Sequence, residues 1–435
     1  MAELKYKTGS KTIQEIDVLF KGKKINLSPG FQRDSVWTIT DRKNLIKSIF
    51  HGYPLPAIFL YKRQADGDIV YDVIDGKQRL ESIFMFNGSI KGNRFSAKTN
   101  LPGSEQSENY DWNRLKKLKK QHLITGYEIP TIEVDGDFSN IVDLFVRINS
   151  TGKALTKQEK RNARYFNSDF LKTASKTAKK FESYFIQNKI ISPAQIARMK
   201  HIELVSEIMY SIHMGDVINK KAALDQVMQS GGFGKSMTGI QIQKANKKTI
   251  HILNRLINMF PKIKQTRFRK IVDFYTLAVL LYKFESEHLI LTNKKRNILA
   301  QDLLIHFSTN VDRVRESQKR ANGIKQGQEV FRNYLSTVQQ QTDSALQRKR
   351  REEILRNLLQ NIFEKKDSNR FFSEEQRRIM WNSKRTHVCK ECKNEITWNN
   401  FTLDHINPWS KGGKTQLKNA TILCRKCNSK KGNRF

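Results

Sequence analysis

Four cysteines occur in the chain, all near its C-terminal end, as two Cys-x-x-Cys pairs: Cys389 with Cys392, and Cys424 with Cys427. In a long chain with no other cysteine, two such pairs read as a metal site and not as a disulfide framework. Four thiolates at this spacing suit a tetrahedral zinc ion. The stretch between the pairs is too short to bury much apolar surface, so the metal is expected to supply folding energy. Such a zinc is coordinatively closed, so it staples the fold and does no chemistry.

The chemistry is expected between the pairs. Phe401-Thr-Leu-Asp404-His405-Ile-Asn-Pro-Trp-Ser-Lys-Gly-Gly413 reads as a strand, an Asp-His dyad, then a loop closed by glycines. Asn419-Ala-Thr-Ile-Leu-Cys424 and Cys427-Asn428-Ser-Lys-Lys-Gly432 follow. Hydrolysing a phosphodiester needs a base to activate water and a cation to bear charge on the leaving oxygen. A neutral imidazole serves as base near pH 7, and a carboxylate helped by an amide oxygen holds a hard divalent cation such as Mg²⁺ or Mn²⁺. Asp404, His405 and Asn428 are the right types for these tasks.

This order closely resembles the ββα-metal, or HNH, nucleases. The resemblance implies His405 as general base and Asp404 as a ligand of the catalytic cation. It makes Asn419 the residue that tethers the hairpin and orients the His405 loop. Asn428 stands at the final ligand position, where the motif's name has His, with Asn433 as the alternative. The competing interpretation is a zinc ribbon that binds nucleic acid without cutting it. His387 lies close to Cys389, but four cysteines already fill a tetrahedron, and an exposed or capping role is expected for it.

The formal charge of +37 makes a polyanion the leading partner class, since neutralised phosphates release counterions and give a large, salt-dependent attraction. A membrane is the weaker partner, because no apolar run approaches the ~18 residues needed to span one. A hydrophobic fraction of 38% is enough for packed cores. The first residues hold no hydrophobic signal core, which leads to an expectation of a cytoplasmic protein.

Three domains are expected, at 1–165, 166–370 and 371–435. In the first, Pro56-Ala-Ile-Phe-Leu-Tyr61 and Ile69-Val-Tyr-Asp-Val-Ile74 read as strands. Residues 41–50 and the stretch from Leu80 to Gly88 read as helices, and Thr156-Lys-Gln-Glu159 as a capping box. From 166 to 370 apolar residues recur at three-and-four spacing, which predicts a helical bundle with basic solvent faces. Gln339-Gln-Gln-Thr-Asp followed by Arg348-Lys-Arg-Arg351 reads as a connector. It and Lys262-x-Lys-x-x-Arg-x-Arg-Lys270 are read first as solvated charge runs and second as phosphate-contacting faces.

Asp75-Gly76-Lys77-Gln78-Arg79 places a carboxylate at a strand end, a glycine turn, then a helix start. Such a mouth is a natural anion site, because free helix N–H groups point at the ligand, although Asp-Gly is also a common plain turn. Arg79 has the fork to grip a phosphate, and Asp75 could hold Mg²⁺ or orient water. No Walker loop is present; Gly231-Gly-Phe-Gly234-Lys-Ser lacks the earlier glycine.

Pro29-Gly-Phe-Gln-Arg33-x-x-x-Trp37, Leu45-Ile-Lys-Ser-Ile-Phe-His-Gly-Tyr-Pro54-Leu-Pro56, the Asp75–Arg79 segment and Phe145-Val-Arg147-Ile-Asn149-Ser-Thr-Gly152 occur in that order. Together they resemble the ParB/sulfiredoxin-like domain of GmrSD-type restriction proteins and the related SspE phosphorothioate-sensing nucleases. In that family the segment is tied to nucleotide hydrolysis and to sensing of modified phage DNA; here Lys77 replaces its first Gln. Arg147 and Asn149 either join the same nucleotide pocket or only brace the turn before Thr156.

The expected protein is multidomain α+β: a mixed α/β ParB/sulfiredoxin-like N-terminal domain, a helical middle, and a small zinc-stapled ββα-metal domain. Its expected role is a metal-dependent DNA endonuclease of a prokaryotic anti-phage restriction system, sensing DNA through a nucleotide-linked N-terminal domain. A DNA-binding regulator and a homing endonuclease are the rival classes. Cutting versus nicking, homo-oligomerisation and a defence-system partner protein are left open.

Overall fold

A computed structural model of the chain describes residues 4–30, 35–65, 67–90, 94–148, 155–229, 237–319, 327–384 and 386–431. It divides into two compact units: Met1–Glu182 with Ser192–Glu203 and Asp225–Ser236, and Ser183–Ile191 with Leu204–Leu224 and Met237–Phe435. Among the described residues no helix is long and apolar enough to cross a membrane.

The first unit is built on strands β1 (Lys5–Thr12), β2 (Ile25–Asn26), β3 (Ile58–Ala65), β4 (Asp68–Asp75), a short β5–β6 pair (Ala97–Thr99 and Glu108–Tyr110) and β7 (Glu128–Asp135). The main sheet has the order β1-β7-β3-β4-β2, with β3–β4 antiparallel and β3–β7 and β2–β4 parallel. Strands β3 and β4 lie where the runs rich in β-branched and aromatic residues predict them. Val73 and Ile74 on β4 are both buried and belong to separate apolar clusters, so both faces of the sheet are covered. That explains why Ile69–Ile74 shows no clean polar alternation. Asp72, buried in the same run, is held by Asn26 Nδ2 and Arg63 Nε, each at 2.8 Å.

Helices α1 (Ile13–Lys21), α2 (Ile39–Phe50) and α3 (Lys77–Asn87) follow the signals in their sequences. Thr38 caps α2 in a capping box with Asp41, and Leu45, Ile46, Ile49 and Phe50 form its buried stripe. The Thr156–Glu159 capping box opens the helix Lys157–Arg164 as read. Between β4 and α3, Gly76 sits at φ +99°, and a Cβ there would lie 2.8 Å from Ile58 Cγ1 on β3. The turn therefore needs glycine twice over, for its backbone and for its contact.

The second unit is helical apart from a hairpin near its C-terminal end. Its centre is the helix Ile271–Ser286, buried from Asp273 to Leu281 on every side. Here the structure corrects part of the expectation of solvated basic runs: Lys262, Lys264, Arg269, Lys270, Lys349 and Arg350 are exposed, but three arginines turn inward. Arg348 and Arg351 are 2% and 0% exposed and lie on the helix Ala345–Leu359, not in a connector. Arg348 pairs with Glu207 and stacks over Tyr275, its guanidinium carbon 4.0 Å from the ring centroid. Arg351 donates to Thr276 Oγ1 and to the carbonyls of Thr337 and Thr342. Arg267, in the other cluster, is buried against Asp273 at 3.1 Å. Helical periodicity turns every third or fourth residue of a basic run inward, where a carboxylate or a carbonyl must meet it.

Gly76→Ala and Gly88→Ala separate backbone strain from contact. Both glycines have positive φ, but nothing lies within 4 Å of a Cβ at Gly88. Gly88→Ala should cost about 1–2 kcal/mol, the strain of the left-handed region alone. Gly76→Ala should cost about 1–3 kcal/mol more through overlap with Ile58. Denaturant unfolding of the two variants, followed on the first unit, measures the difference.

Candidate nuclease site

Strand β8 (Phe401–His405) and strand β9 (Ala420–Cys424) form an antiparallel hairpin in which Asp404 faces Thr421 and His405 faces Ala420. The helix Arg425–Lys431 follows β9 directly, giving a ββα unit. Its core is small: Cys389, Ile396, Phe401, Ile422 and Leu423, with Met380 and Trp381 of the helix Glu374–Asn382 against them. Trp381 stacks on His387, whose Nε2 sits 3.0 Å from the Trp381 carbonyl. His387 is thus a helix-end partner and lies outside the four-cysteine cluster.

The four cysteine sulfurs lie within 4.8 Å of one another. Tetrahedral Zn–S bonds of about 2.3 Å put sulfurs about 3.8 Å apart, so the donor set fits such an ion. Burial opposes ionisation of Cys389, but the N–H groups of Cys424, Cys392 and Glu391 outweigh it and hold this thiol down at about 6. Cys427 is pushed up to about 12 by the neighbouring Cys424 sulfur and by burial. Only a cation in their midst lets all four be thiolates together.

The dyad stands at the end of β8. His405 is 7% exposed, its ring Nε2 lies 2.9 Å from Thr415 Oγ1, and the Phe372 ring packs 4.6 Å away. Burial pushes the imidazole below its ordinary pKa, with Lys431 and Arg370 in the same direction and Asp404 and Asp367 opposing. Asp404 Oδ2 is 2.7 Å from the Lys431 ammonium, which also donates to the His405 carbonyl at 3.0 Å. Asn428 lies one turn before Lys431 and so on the same face of its helix.

Asn419 ties the loop between the strands. Its Oδ1 accepts from Asn407 N at 2.8 Å, and its Nδ2 donates to the carbonyls of Asn407 and Lys414. Gly413 is needed where the loop folds back, because a Cβ there would fall 1.7 Å from the Asn407 carbonyl oxygen. The structure thus brings Asp404, His405 and Asn419 to one hairpin. It also adds Thr415, Phe372 and Lys431, which motif order did not single out. Lys431 carried a signal, four residues after Cys427; Phe372 carried none, because it reaches the site from another segment.

At the N-terminal constellation, Asp75 ends β4 and α3 begins at Lys77 with no side-chain cap on its first turn. Arg79 is 9% exposed, and its guanidinium donates to the carbonyls of Pro56 and Ala57 and to Asp75 Oδ2 at 2.6 Å. Burial lowers its pKa, and Asp75 opposes the shift. Gln78 Oε1 accepts from Val36 N, and Lys77 lies 3.9 Å from Glu81. Arg147 sits near the end of the helix Phe138–Ile148, which packs on β4. Asn149, Asn433, Arg33 and the Gly231–Gly234 stretch lie outside the described residues.

Residues 16–166 match the family model of the GmrSD restriction endonuclease N-terminal domain, and residues 389–434 match that of the HNH endonuclease. No curated protein matches the chain. The Asp75–Arg79 turn falls within the first match, and the hairpin, its dyad and its four cysteines within the second. The chain therefore joins a GmrSD-type N-terminal domain to an HNH domain, and is a DNA endonuclease.

Proposed function

We propose that this endonuclease restricts invading, modified DNA in a prokaryotic defence system, and that His405, Asp404 and Asn428 carry the cleavage. The observation that supports the reading most is the end of β8, where a buried imidazole adjoins a carboxylate already matched to a positive charge. His405, kept neutral by burial, takes the proton from the attacking water. Asp404 and Asn428 would hold a divalent cation, Mg²⁺ or Mn²⁺, which when bound supplies charge neutralisation at the leaving oxygen. The Lys431 ammonium, 2.7 Å from Asp404 Oδ2, supports reading this carboxylate as placed beside positive charge. Asn419 fixes the loop that follows His405, and a structural Zn²⁺ on Cys389, Cys392, Cys424 and Cys427 holds hairpin and helix together.

In this reading the N-terminal domain senses DNA under the control of a nucleoside triphosphate. The GmrSD match and the uncapped first turn of α3 support it. The phosphates would meet the turn at Asp75, Gly76, Lys77 and Gln78, with Arg147 and Asn149 toward the same pocket. Arg79, turned inward, would shape that turn.

The test is cleavage of matched unmodified, base-modified and phosphorothioated DNA with Mg²⁺ or Mn²⁺, with and without nucleoside triphosphates. Cutting should depend on modification or nucleotide, and fall at least ~10³-fold in His405→Ala and Asp404→Ala with DNA binding retained. Equal cutting of all substrates removes the sensor; full cutting by His405→Ala removes the assigned base. The active imidazole is the neutral one and its pKa is lowered, so the rate should fall only as pH drops below the ordinary histidine value of about 6.5. His405→Asn should erase that acid limb.

Metal removal gives a second expectation. Cys424→Ser, or a strong chelator, should release about one zinc per chain and abolish the protease resistance of residues 386–431 while the first unit's unfolding is unchanged. A hairpin that stays folded without metal overturns the staple.

A further inference from the structure

The hydrogen bonds around Thr415 form a chain whose direction can be worked out. Its hydroxyl donates to the carbonyl of Asn369, and the same oxygen lies 2.9 Å from His405 Nε2. A hydroxyl has one proton, and a carbonyl can only accept. The Thr415 proton is therefore committed to Asn369, and what it offers His405 is a lone pair. Nε2 must then carry hydrogen, so the neutral imidazole keeps its free lone pair on Nδ1. No other side-chain hydrogen bond to His405 occurs among the described residues.

The groups that hold Thr415 come from outside the HNH match. Its backbone N–H donates to Asp367 Oδ2 at 2.9 Å, and Trp409 Nε1 donates to the Asp367 carbonyl at 2.9 Å. Asp367 is itself kept ionised by the N–H groups of Thr415 and Asn369. Phe372, five residues on, covers the His405 ring. The other edge of this strap is fastened to the helical part of the unit: Ile290 N donates to the Glu364 carbonyl at 2.8 Å, and Lys366 N to the His288 carbonyl at 2.9 Å. Residues 364–372 are thus clamped between 288–290 and the loop after His405.

We propose that Thr415, held by the 364–372 strap, is a positioning residue that fixes His405 as the Nε2–H tautomer, leaving Nδ1 as the base. The strap makes the helical part of the chain a structural component of the nuclease centre. The proposal rests on His405 being the base, but its first readout does not. Second-sphere partners of this kind are typically worth about 10- to 100-fold in activity.

The experiment uses the full, zinc-loaded chain with ¹⁵N-labelled histidine and no added Mg²⁺. Long-range ¹H–¹⁵N spectra, with His405→Asn to assign the signal, should show Nε2 protonated and Nδ1 bare. Thr415→Val, which keeps shape and removes the hydroxyl, should give a mixed-tautomer signal. It should also lower kcat by about 10- to 100-fold with KM for DNA and Mn²⁺ affinity unchanged. Thr415→Ser should restore both signal and rate to within about 2-fold. An Nδ1–H signal in the unsubstituted protein, a Val variant with its tautomer intact, or a Ser variant as impaired as Val would each overturn the proposal. So would a rise in KM alone. If His405→Ala cleaves normally the base assignment fails, yet the spectra still decide what Thr415 does to the ring.

Discussion

The convergence of four cysteine sulfurs within 4.8 Å of one another is the feature around which the nuclease end is arranged. Two of them lie at the end of β9 and in the helix after it, and two in the knuckle before β8, so whatever neutralises them also closes the ββα unit. Among the described residues the local core buries five side chains, a small area to hold such a unit. Every feature of the site is referred to that closure. Asp404 and His405 project from β8, Lys431 reaches them from the helix beginning beside Cys424, and Asn419 ties the return loop.

The charge of +37 has two fates in this chain. Some of the basic residues face water, where a polyanion can reach them. Others are internal: Arg348 on Glu207, Arg267 on Asp273, and Arg161 with Glu203 at 3.5 Å. Removing one partner of such a pair leaves a buried charge uncompensated, at a cost of roughly 3–5 kcal/mol. Substitutions of Arg348 or Arg351 therefore report on the helical core before they report on DNA.

What could be read from the sequence was local. Strands β3 and β4, helices α2 and α3, the Thr156 cap, the cysteine cluster and the Asp-His dyad each carry their cause within a few residues. The inward turn of Arg348 could not be read, because it depends on Glu207, far away in the chain. Thr415 and Phe372 escaped for the same reason. A threonine after Gly-Gly-Lys looks like loop filler until Asn369 arrives on one side and His405 on the other.

The Asp75–Arg79 segment shows the converse case, a motif whose residues divide between architecture and exposure. Gly76 is required by the approach of Ile58, and Arg79 bridges the carbonyls before β3 to the end of β4. Both would be demanded by the fold even if no nucleotide ever bound. Truncating Arg79 frees two carbonyls and the Asp75 carboxylate at once, so a lost activity there is first a lost turn. Lys77 lies 3.9 Å from Glu81 and begins a helix with no side-chain cap. If phosphate chemistry takes place at this turn, Lys77 is where ligand selectivity can change while the turn survives.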